Sequence, residues 1–324
     1  MLYPLIFHPI FKERIWGGRE IENLYGKKLP AGKLIGESWE ISDRPDDESV
    51  IANGKFAGKS LRWLMEKHAR ELLGDAKPAA DNRFPLLCKI LDAHSKLSLQ
   101  VHPPAHKAAE LRGDPKTEIW FITKATPVSE LFAGLKHGVT RAVFEKKIQT
   151  GKIVECFHRI PVRAGDAMFL PSGRTHAIGD GLVLFEIQQN SDTTYRVYDW
   201  DHIGLSGKPR KLHVPQALES IDFNDFEPKL VSEKFSGGTK IKSRLLVRDK
   251  LFNVENLEIK TDAIAKLKEH KLQIVAAVIG QIEIKSGSEI VSLSAGQFCL
   301  IPASLGRLEI LAKSDAALLR VEAN

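Results

Sequence analysis

Polar side chains with metal-binding chemistry occur in three separate segments of the chain. Gln100 and His102 lie in the segment Leu97–Pro103, where polar and apolar residues alternate. In a strand, this alternation places Ser98, Gln100 and His102 on one face and the apolar residues on the other. Both a metal-binding strand and a solvated edge strand fit this row, and the segment alone does not decide between them.

Two further segments supply a carboxylate and a second imidazole. Glu118 shares one face of a short alternating segment with Lys116, and on its own this pair fits an ordinary surface ion pair. His176 ends the stretch Gly165–His176, where a glycine and a proline predict a tight turn. A single histidine in such a place is more often structural than functional.

Combined, the segments predict a metal site. Two imidazoles (His102 and His176) and one carboxylate (Glu118) form a typical catalytic zinc set, which leaves one position open for water or substrate. Gln100 would add a neutral oxygen ligand. With one carboxylate the site keeps a net positive charge, so it can polarise a substrate oxygen. Nitrogen and oxygen ligands also suit iron or manganese, so the spacing does not fix the metal.

Arg196, further along the chain, is a candidate for binding an oxyanion. It lies in Gln188–Trp200, after the apolar strand Leu182–Ile187, and we expect this segment to run near the metal ligands. A guanidinium is always charged and binds an oxyanion through paired donors. A structural ion pair with Asp192 or Asp199 explains Arg196 equally well at this point.

The elements that position these residues are mostly short strands bounded by Gly, Pro, Asn and Asp. Clear strand patterns are Leu182–Ile187, Leu272–Ile279 and Gln297–Ile301. Three helices are predicted, one capped by Ser60 and ending at Gly74, one opened by Thr140 and ending near Gly151, and one starting near Pro215. Many strands with few helices predict β-sandwich or barrel modules.

A weak internal repeat indicates two such modules. Gly165–Pro171 and Gly296–Pro302 share the pattern glycine, five residues, proline. In each copy the glycine can turn the chain into a short buried strand and the proline can end it. Arg307 occupies in the second copy the place that His176 has in the first, so only the first module presents an imidazole there.

The charged stretch Phe223–Ser243, which contains two adjacent glycines, is the predicted linker. We therefore expect a catalytic domain with helical decoration over residues 1–225. A C-terminal domain without metal ligands is expected over residues 240–324.

Taken together, these segments resemble the type I mannose-6-phosphate isomerases, also called phosphomannose isomerases, in their short bacterial form. The matching pieces run in family order and are Trp16–Gly18, Gly36–Glu40, Leu97–Pro103, Lys116–Trp120, Pro171–Ile178 and Gln188–Trp200. The resemblance implies a mainly β fold of two cupin-like jelly-roll modules, the second of them degenerate. It implies an aldose–ketose isomerase that interconverts mannose 6-phosphate and fructose 6-phosphate through a cis-enediol(ate).

The resemblance also implies roles by position. One Zn²⁺ per chain would be held by Gln100, His102, Glu118 and His176. Catalysis would fall to Arg196 as the catalytic arginine, Lys116 as the lysine of proton transfer and Asp192 as an acid that helps to open the ring. Substrate and phosphate binding would fall to Ser98, Lys208 and Arg210.

Two departures from the family pattern stand out. His102-Pro103-Pro104 replaces a commoner His-Pro-Asn, which is expected to reshape the loop after the ligands. The helical insert of longer relatives is missing, which should alter the lid of the pocket but not its metal.

Two alternative functions remain open from the residues. Another metal-dependent cupin enzyme, such as an iron dioxygenase, would need open positions for O₂ and would lose activity without oxygen. A non-catalytic sugar-binding cupin would bind its ligand without turnover.

Composition limits the other partners. The chain has 47 basic and 41 acidic residues, for a formal charge of +6, and the two signs are interleaved. This pattern favours an anionic small substrate, here a sugar phosphate, over nucleic acid. Three distant cysteines indicate reduced thiols. The N-terminus lacks the features of a signal peptide, and the apolar stretch Leu272–Ile282 is about half of a membrane span. We expect a cytoplasmic monomer or weak homodimer with no membrane partner.

Overall fold

The computed structural model describes residues 2–324. Its secondary structure is mainly β with a few helices, as predicted. The strands of the first module are β1 (Ile10–Gly18), β2 (Ile35–Ile41), β3 (Asp43–Arg44), β4 (Asp47–Glu48), β5 (Leu86–Ala93), β6 (Leu99–Val101), β7 (Glu118–Lys124), β8 (Glu130–Leu135), β9 (Phe157–Pro161), β10 (Ala167–Leu170), β11 (His176–Ile178), β12 (Leu182–Gln189) and β13 (Tyr195–Tyr198).

The remaining strands belong to a second module. They are β14 (Ser236–Gly237), β15 (Ile241–Arg248), β16 (Phe252–Ile259), β17 (Ile264–Lys266), β18 (Gln273–Ile279), β19 (Gln281–Ser286), β20 (Glu289–Ser294), β21 (Phe298–Ile301), β22 (Glu309–Ala312) and β23 (Ala316–Ala323). The segment predicted as a linker contains β14 and the start of β15 in its last eight positions.

The helices are short and lie outside the sheets. They are α1 (Glu20–Tyr25), α2 (Leu61–Leu73), α3 (Ala105–Ala108), α4 (Arg141–Gln149) and α5 (Val214–Ser220). The three predicted helices are confirmed as α2, α4 and α5. Ser60 Oγ accepts a hydrogen bond from the backbone N–H of Trp63, and Thr140 Oγ1 accepts one from Val143, so both caps work as expected.

Each module is a pair of antiparallel sheets. In the first module, sheet A has the order β1-β2-β5-β12-β7-β10 and sheet B the order β13-β6-β11-β8-β9. In the second, sheet C has the order β14-β15-β16-β23-β18-β21 and sheet D the order β17-β22-β19-β20. These paired sheets confirm the predicted cupin-like fold class. The boundaries at 225 and 240 stay a prediction.

The four sheets are stacked in the order B, A, C, D. One apolar cluster lies between sheets A and B and includes Leu91, Trp120 and Ile178. A second contains residues of both A and C, such as Phe185 and Phe252, and so joins the two modules. A third lies between sheets C and D. Sheet A is therefore buried on both faces, which explains why β5 and β12 are almost continuously apolar.

The internal repeat has a structural basis. Gly165 and Gly296 have φ angles of +92° and +81°, a region that favours glycine, and each precedes a short buried strand. The matching positions after these strands differ in role. His176 is buried at the start of β11, whereas Arg307 pairs with Glu309 at the surface.

Within residues 2–324, none of the helices has the length and apolar character that crossing a membrane requires.

Candidate metal centre and substrate cavity

Strand β6 brings three of the predicted site residues into one row. It lies between β13 and β11, and Gln100 is paired with Arg196 on one side and with His176 on the other. Directly opposed residues in antiparallel strands have Cβ atoms about 4.5–5.5 Å apart. Glu118 reaches the same region from β7 of the facing sheet. The pairing of strands in sheet B, together with the packing of sheet A against sheet B, therefore brings these residues together.

The alternation predicted for the two ligand strands is present with one exception. Leu99 and Val101 point into the core beyond sheet B, and Ile119 and Phe121 point towards sheet C. Leu97 was expected to share the face of Leu99, but it lies in the cluster between sheets A and B, because β6 begins only at Leu99.

His102, Glu118 and His176 form a compact buried group. Glu118 Oε2 lies 3.6 Å from His102 Nε2, and Oε1 lies 3.5 Å from His176 Nε2. One donor atom from each residue lies within 4.8 Å of the others. Two ligands on a tetrahedral centre with zinc-type bond lengths are about 3.3 Å apart. The spacing therefore leaves room for one metal ion between the three side chains.

Unpartnered polar atoms at the centre of the group also fit a cation. Both carboxylate oxygens of Glu118 and the Nε2 atom of His102 are buried without a hydrogen bond. Lys116 Nζ lies 2.8 Å from Glu118 Oε2 as an ion pair but outside hydrogen-bond geometry. Buried polar atoms without partners cost free energy, and a bound metal would satisfy them.

The imidazoles are oriented by backbone carbonyls. His102 Nδ1–H donates to the carbonyl of Thr193 at 2.8 Å, and His176 Nδ1–H donates to that of Arg174 at 2.9 Å. These bonds place the protons on Nδ1, so both Nε2 lone pairs face Glu118. Such an arrangement is typical of metal-binding histidines.

The protonation states agree with this orientation. Burial, together with the charge of Lys116, lowers the pKa of His102 to about 4, and burial also lowers the pKa of His176. Burial disfavours the charged form of Glu118, but Lys116 and the two imidazoles outweigh it and hold its pKa well below the ordinary value. Two neutral imidazoles and one carboxylate are the forms that bind metal.

A cavity of about 510 Å³ borders this group through Gln100 and Lys116. Four other predicted site residues line it, namely Ser98, Asp192, Arg196 and Arg210. Lys208 is exposed and is not among the lining residues. Size and polarity of the cavity suit a small polar ligand.

A row of six alternating charges runs beside this cavity, in the order Arg14, Glu37, Lys89, Glu186, Lys116 and Glu118. Successive nitrogen–oxygen distances along it are 2.6, 3.4, 3.3, 3.9 and 2.8 Å. Trp120 Nε1–H donates to Glu186 at 2.9 Å and Trp39 Nε1–H to Glu37 at 2.7 Å. The row therefore offers both signs of charge to a ligand in the cavity.

Sequence reasoning missed the first four members of this row. A signal for two of them was present, since Lys89 and Glu186 are charges inside largely apolar strands. On β5 and β12 they share a side with Leu91 and Leu184, which face the inside of the first module. A charge in such a position is buried and needs a partner, which identifies it as a candidate site residue.

Arg196 does not form the structural pair that was its alternative explanation. In residues 2–324 it has no carboxylate within ion-pair distance, and its Nε is buried without a partner. Its Nη1–H donates to the carbonyl of Lys211 at 3.0 Å. Burial, with the nearby charge of Arg210, lowers the pKa of Arg196. Asp199 pairs with Arg210 instead.

Comparisons with known proteins show what the chain is similar to. Residues 5–120 match the family model described as the catalytic domain of type I phosphomannose isomerase. The chain is 35% identical to the mannose-6-phosphate isomerase ManA of Bacillus subtilis, over 95% of both chains. It is 34% identical to the mannose-6-phosphate isomerase of Streptococcus mutans, over 96% of this chain and 98% of that one. The crystal structure of mannose 6-phosphate isomerase from Bacillus subtilis superposes with a TM-score of 0.90, at 30% identity, with 99% of each chain covered.

Proposed function

Since this chain belongs to the type I phosphomannose isomerase family, we propose that it converts mannose 6-phosphate with the help of one zinc ion bound by Gln100, His102, Glu118 and His176. The chain is a mannose-6-phosphate isomerase. The zinc, the ligand set and the course of the reaction are the proposal. The observation that carries it is the buried His–Glu–His group with unpartnered donor atoms beside a polar cavity.

Gln100 fits as the fourth ligand once its amide is turned. Its nitrogen lies 3.2 Å from His176 Nε2, and its oxygen accepts a hydrogen bond from Ser98 at 3.3 Å. The two ends of an amide are assigned from their partners. Rotation of the amide by 180° brings the oxygen towards the group, where a metal needs a lone pair. When bound, zinc would act as a Lewis acid towards the sugar oxygens.

In the proposed reaction, the sugar ring opens and a proton then moves between C1 and C2 by way of a cis-enediol(ate). Lys116 is the proposed proton carrier. It lines the cavity, is 5% exposed and touches the metal-binding Glu118, so it lies beside the point where the sugar oxygens would meet the metal. A positioned group that moves a proton contributes about 10²–10⁴-fold to a rate.

Arg196 is proposed to stabilise the negative charge that develops on the sugar oxygens. It is the cross-strand neighbour of Gln100 and lacks a carboxylate partner within residues 2–324, so its charge remains free for a ligand. Asp192 lines the same cavity and is exposed, which suits its proposed part in proton movement during ring opening.

The phosphate is proposed to bind to Ser98 and Arg210, which both line the cavity. Lys208 belongs to the same basic stretch as Arg210 and would contribute its charge from outside the cavity. Binding the phosphate away from the reacting carbons orients the sugar chain, which lowers the entropic part of the barrier.

A coupled assay tests the proposal. The purified protein should convert mannose 6-phosphate to fructose 6-phosphate, lose this activity on chelation and regain it with added zinc. Elemental analysis of the same sample should find one metal ion per chain. Full activity after the metal has been removed would contradict the proposed metal dependence, and recovery with iron but not zinc would contradict the choice of ion.

A further inference from the structure

Resting on the function proposed above, we propose that Asp199 is a positioning residue that holds the guanidinium of Arg210 ready for the phosphate of the substrate. Asp199 comes directly after β13 and is 6% exposed. Arg210 lies eleven positions further on, at the end of a loop that forms part of the cavity wall. No other acidic residue pairs with Arg210 within residues 2–324.

Asp199 and Arg210 form a bidentate ion pair. Arg210 Nε–H donates to Asp199 Oδ2 at 2.7 Å, and Arg210 Nη2–H donates to Oδ1. Parallel bonds of this kind fix the plane of the guanidinium as well as its position. Because Arg210 would otherwise rotate freely, its side chain is ordered before a ligand arrives, and this reduces the entropic cost of binding.

Asp199 leaves the other edge of the guanidinium unused. A guanidinium has five N–H donors, and the carboxylate takes two of them, on the Nε/Nη2 edge. The remaining donors lie on the edge formed by Nη1 and Nη2, and no hydrogen bond of Nη1 occurs within residues 2–324. Since Arg210 lines the cavity, this free edge is suited to a second oxyanion, for which paired N–H donors match phosphate.

The two arginines in the cavity wall also favour an anion. Arg196 and Arg210 both line the cavity, and the pair with Asp199 neutralises only one of the two. Asp192 lines the cavity as well, but it is exposed to solvent. A phosphate dianion would compensate the cation that remains, whereas an uncharged sugar would not.

The loop itself depends on the same strand. Residues 199–213 contain only an isolated bridge between Ile203 and Pro209. Arg196 holds the base of the loop with two hydrogen bonds. Its Nη1–H donates to the carbonyl of Lys211, and its backbone carbonyl accepts from the backbone N–H of His213 at 2.7 Å. Asp199 adds the contact that holds the side chain of Arg210, so β13 and the residue that follows it position both arginines.

The test compares the variants Asp199→Asn, Arg210→Met and their combination with the wild type. Steady-state kinetics with mannose 6-phosphate would be measured together with the inhibition constant of inorganic phosphate, the metal content and the melting temperature. Asp201→Asn is the matched control, since Asp201 is exposed and contacts Tyr198 but not Arg210. The control should leave all constants unchanged.

Arg210→Met should raise KM and the phosphate inhibition constant about 10- to 100-fold, the loss expected for a charge-assisted hydrogen bond, with kcat within a factor of three. Asp199→Asn should raise the same two constants about 5- to 10-fold. The double variant should lose no more than Arg210→Met alone, because Asp199 acts through Arg210.

Three results would overturn the inference. If Asp199→Asn leaves the phosphate inhibition constant unchanged, Asp199 has only a structural role, whether or not the melting temperature falls. Unchanged inhibition in Arg210→Met would remove Arg210 from the phosphate site. Effects that multiply in the double variant would show that Asp199 acts on something other than Arg210.

If a single variant fails to fold, Arg210→Lys carries the test. It keeps the charge beside Asp199 but loses the paired donors, so a tenfold rise in the phosphate inhibition constant is expected and an unchanged constant refutes the inference. Failure of the proposed function is seen separately, as absent turnover in the wild type. Calorimetric titration of inorganic phosphate into the same variants would then still decide whether Asp199 and Arg210 bind the anion.

Discussion

The substitution Glu118→Gln tests whether one carboxylate completes the metal site and also neutralises a buried lysine. Glu118 is fully buried, and its two oxygens lie 3.5 and 3.6 Å from the imidazole nitrogens. Its third neighbour is Lys116, at 2.8 Å. Glutamine has nearly the same shape without the charge, so the change removes the anion and little else.

The loss of stability in Glu118→Gln depends on which carboxylates remain near Lys116. After the substitution Lys116, which is 5% exposed, has Glu186 at 3.9 Å as its remaining carboxylate within residues 2–324. Removing one partner of a buried ion pair costs about 3–5 kcal/mol. We therefore expect the free energy of unfolding of the metal-free protein to fall by about this amount, and the metal content to fall from one ion per chain to nearly none.

Urea unfolding of chelated protein, elemental analysis and the coupled assay measure these effects. The double variant Glu118→Gln/Lys116→Met should regain most of the stability, because it removes the unpaired charge, but neither metal nor activity. Glu219→Gln is the control, since Glu219 forms exposed pairs with Lys107 at 3.1 Å and with Arg141 at 2.7 Å. A Glu118→Gln protein that keeps one metal per chain would refute the ligand assignment. A metal-free variant as stable as the wild type would refute the reasoning about Lys116.

Three further substitutions separate the remaining roles. Lys116→Met should keep its metal and lose about 10²–10⁴-fold in kcat, and normal turnover would remove it from proton transfer. Arg196→Ala should lower kcat about 10²–10³-fold, as for a lost oxyanion donor, and a change confined to KM would contradict that role. Ser60→Ala should lower the free energy of unfolding by about 1 kcal/mol, because α2 loses its N-terminal cap, while kcat and KM stay unchanged. A chemical denaturation curve that matches the wild type would disprove the contribution of the cap.

Local patterns predicted much of the architecture. Ser60 and Thr140 predicted two helix starts, because a capping side chain acts on the turn that follows it. Glycines 165 and 296 predicted equivalent turns in two modules, and both have positive φ. The alternation around Gln100 and Glu118 predicted which side chains share a face, since that depends on the strand period alone. The error at Leu97 arose where a strand boundary was misplaced.

The residues that line the cavity were predicted less completely. The apolar strands around Lys89 and Glu186 signal buried charges, but the sequence pattern does not show which residues partner them. The partner of Lys89, Glu37, lies in β2, and the partner of Glu186, Lys116, lies two residues before β7, so both are far away in sequence. The pairing of Asp199 with Arg210 rather than with Arg196 was open for the same reason.

By itself, then, the sequence determined which side chains could bind a metal and on which strand faces they lie, because residue type and period are local properties. Only the tertiary structure decided that Gln100, His176 and Arg196 lie in one row, since this depends on the register of β6 with two distant strands. It also decided that Glu118 meets the two imidazoles from the opposite sheet, because sheet packing brings together residues that no local pattern connects.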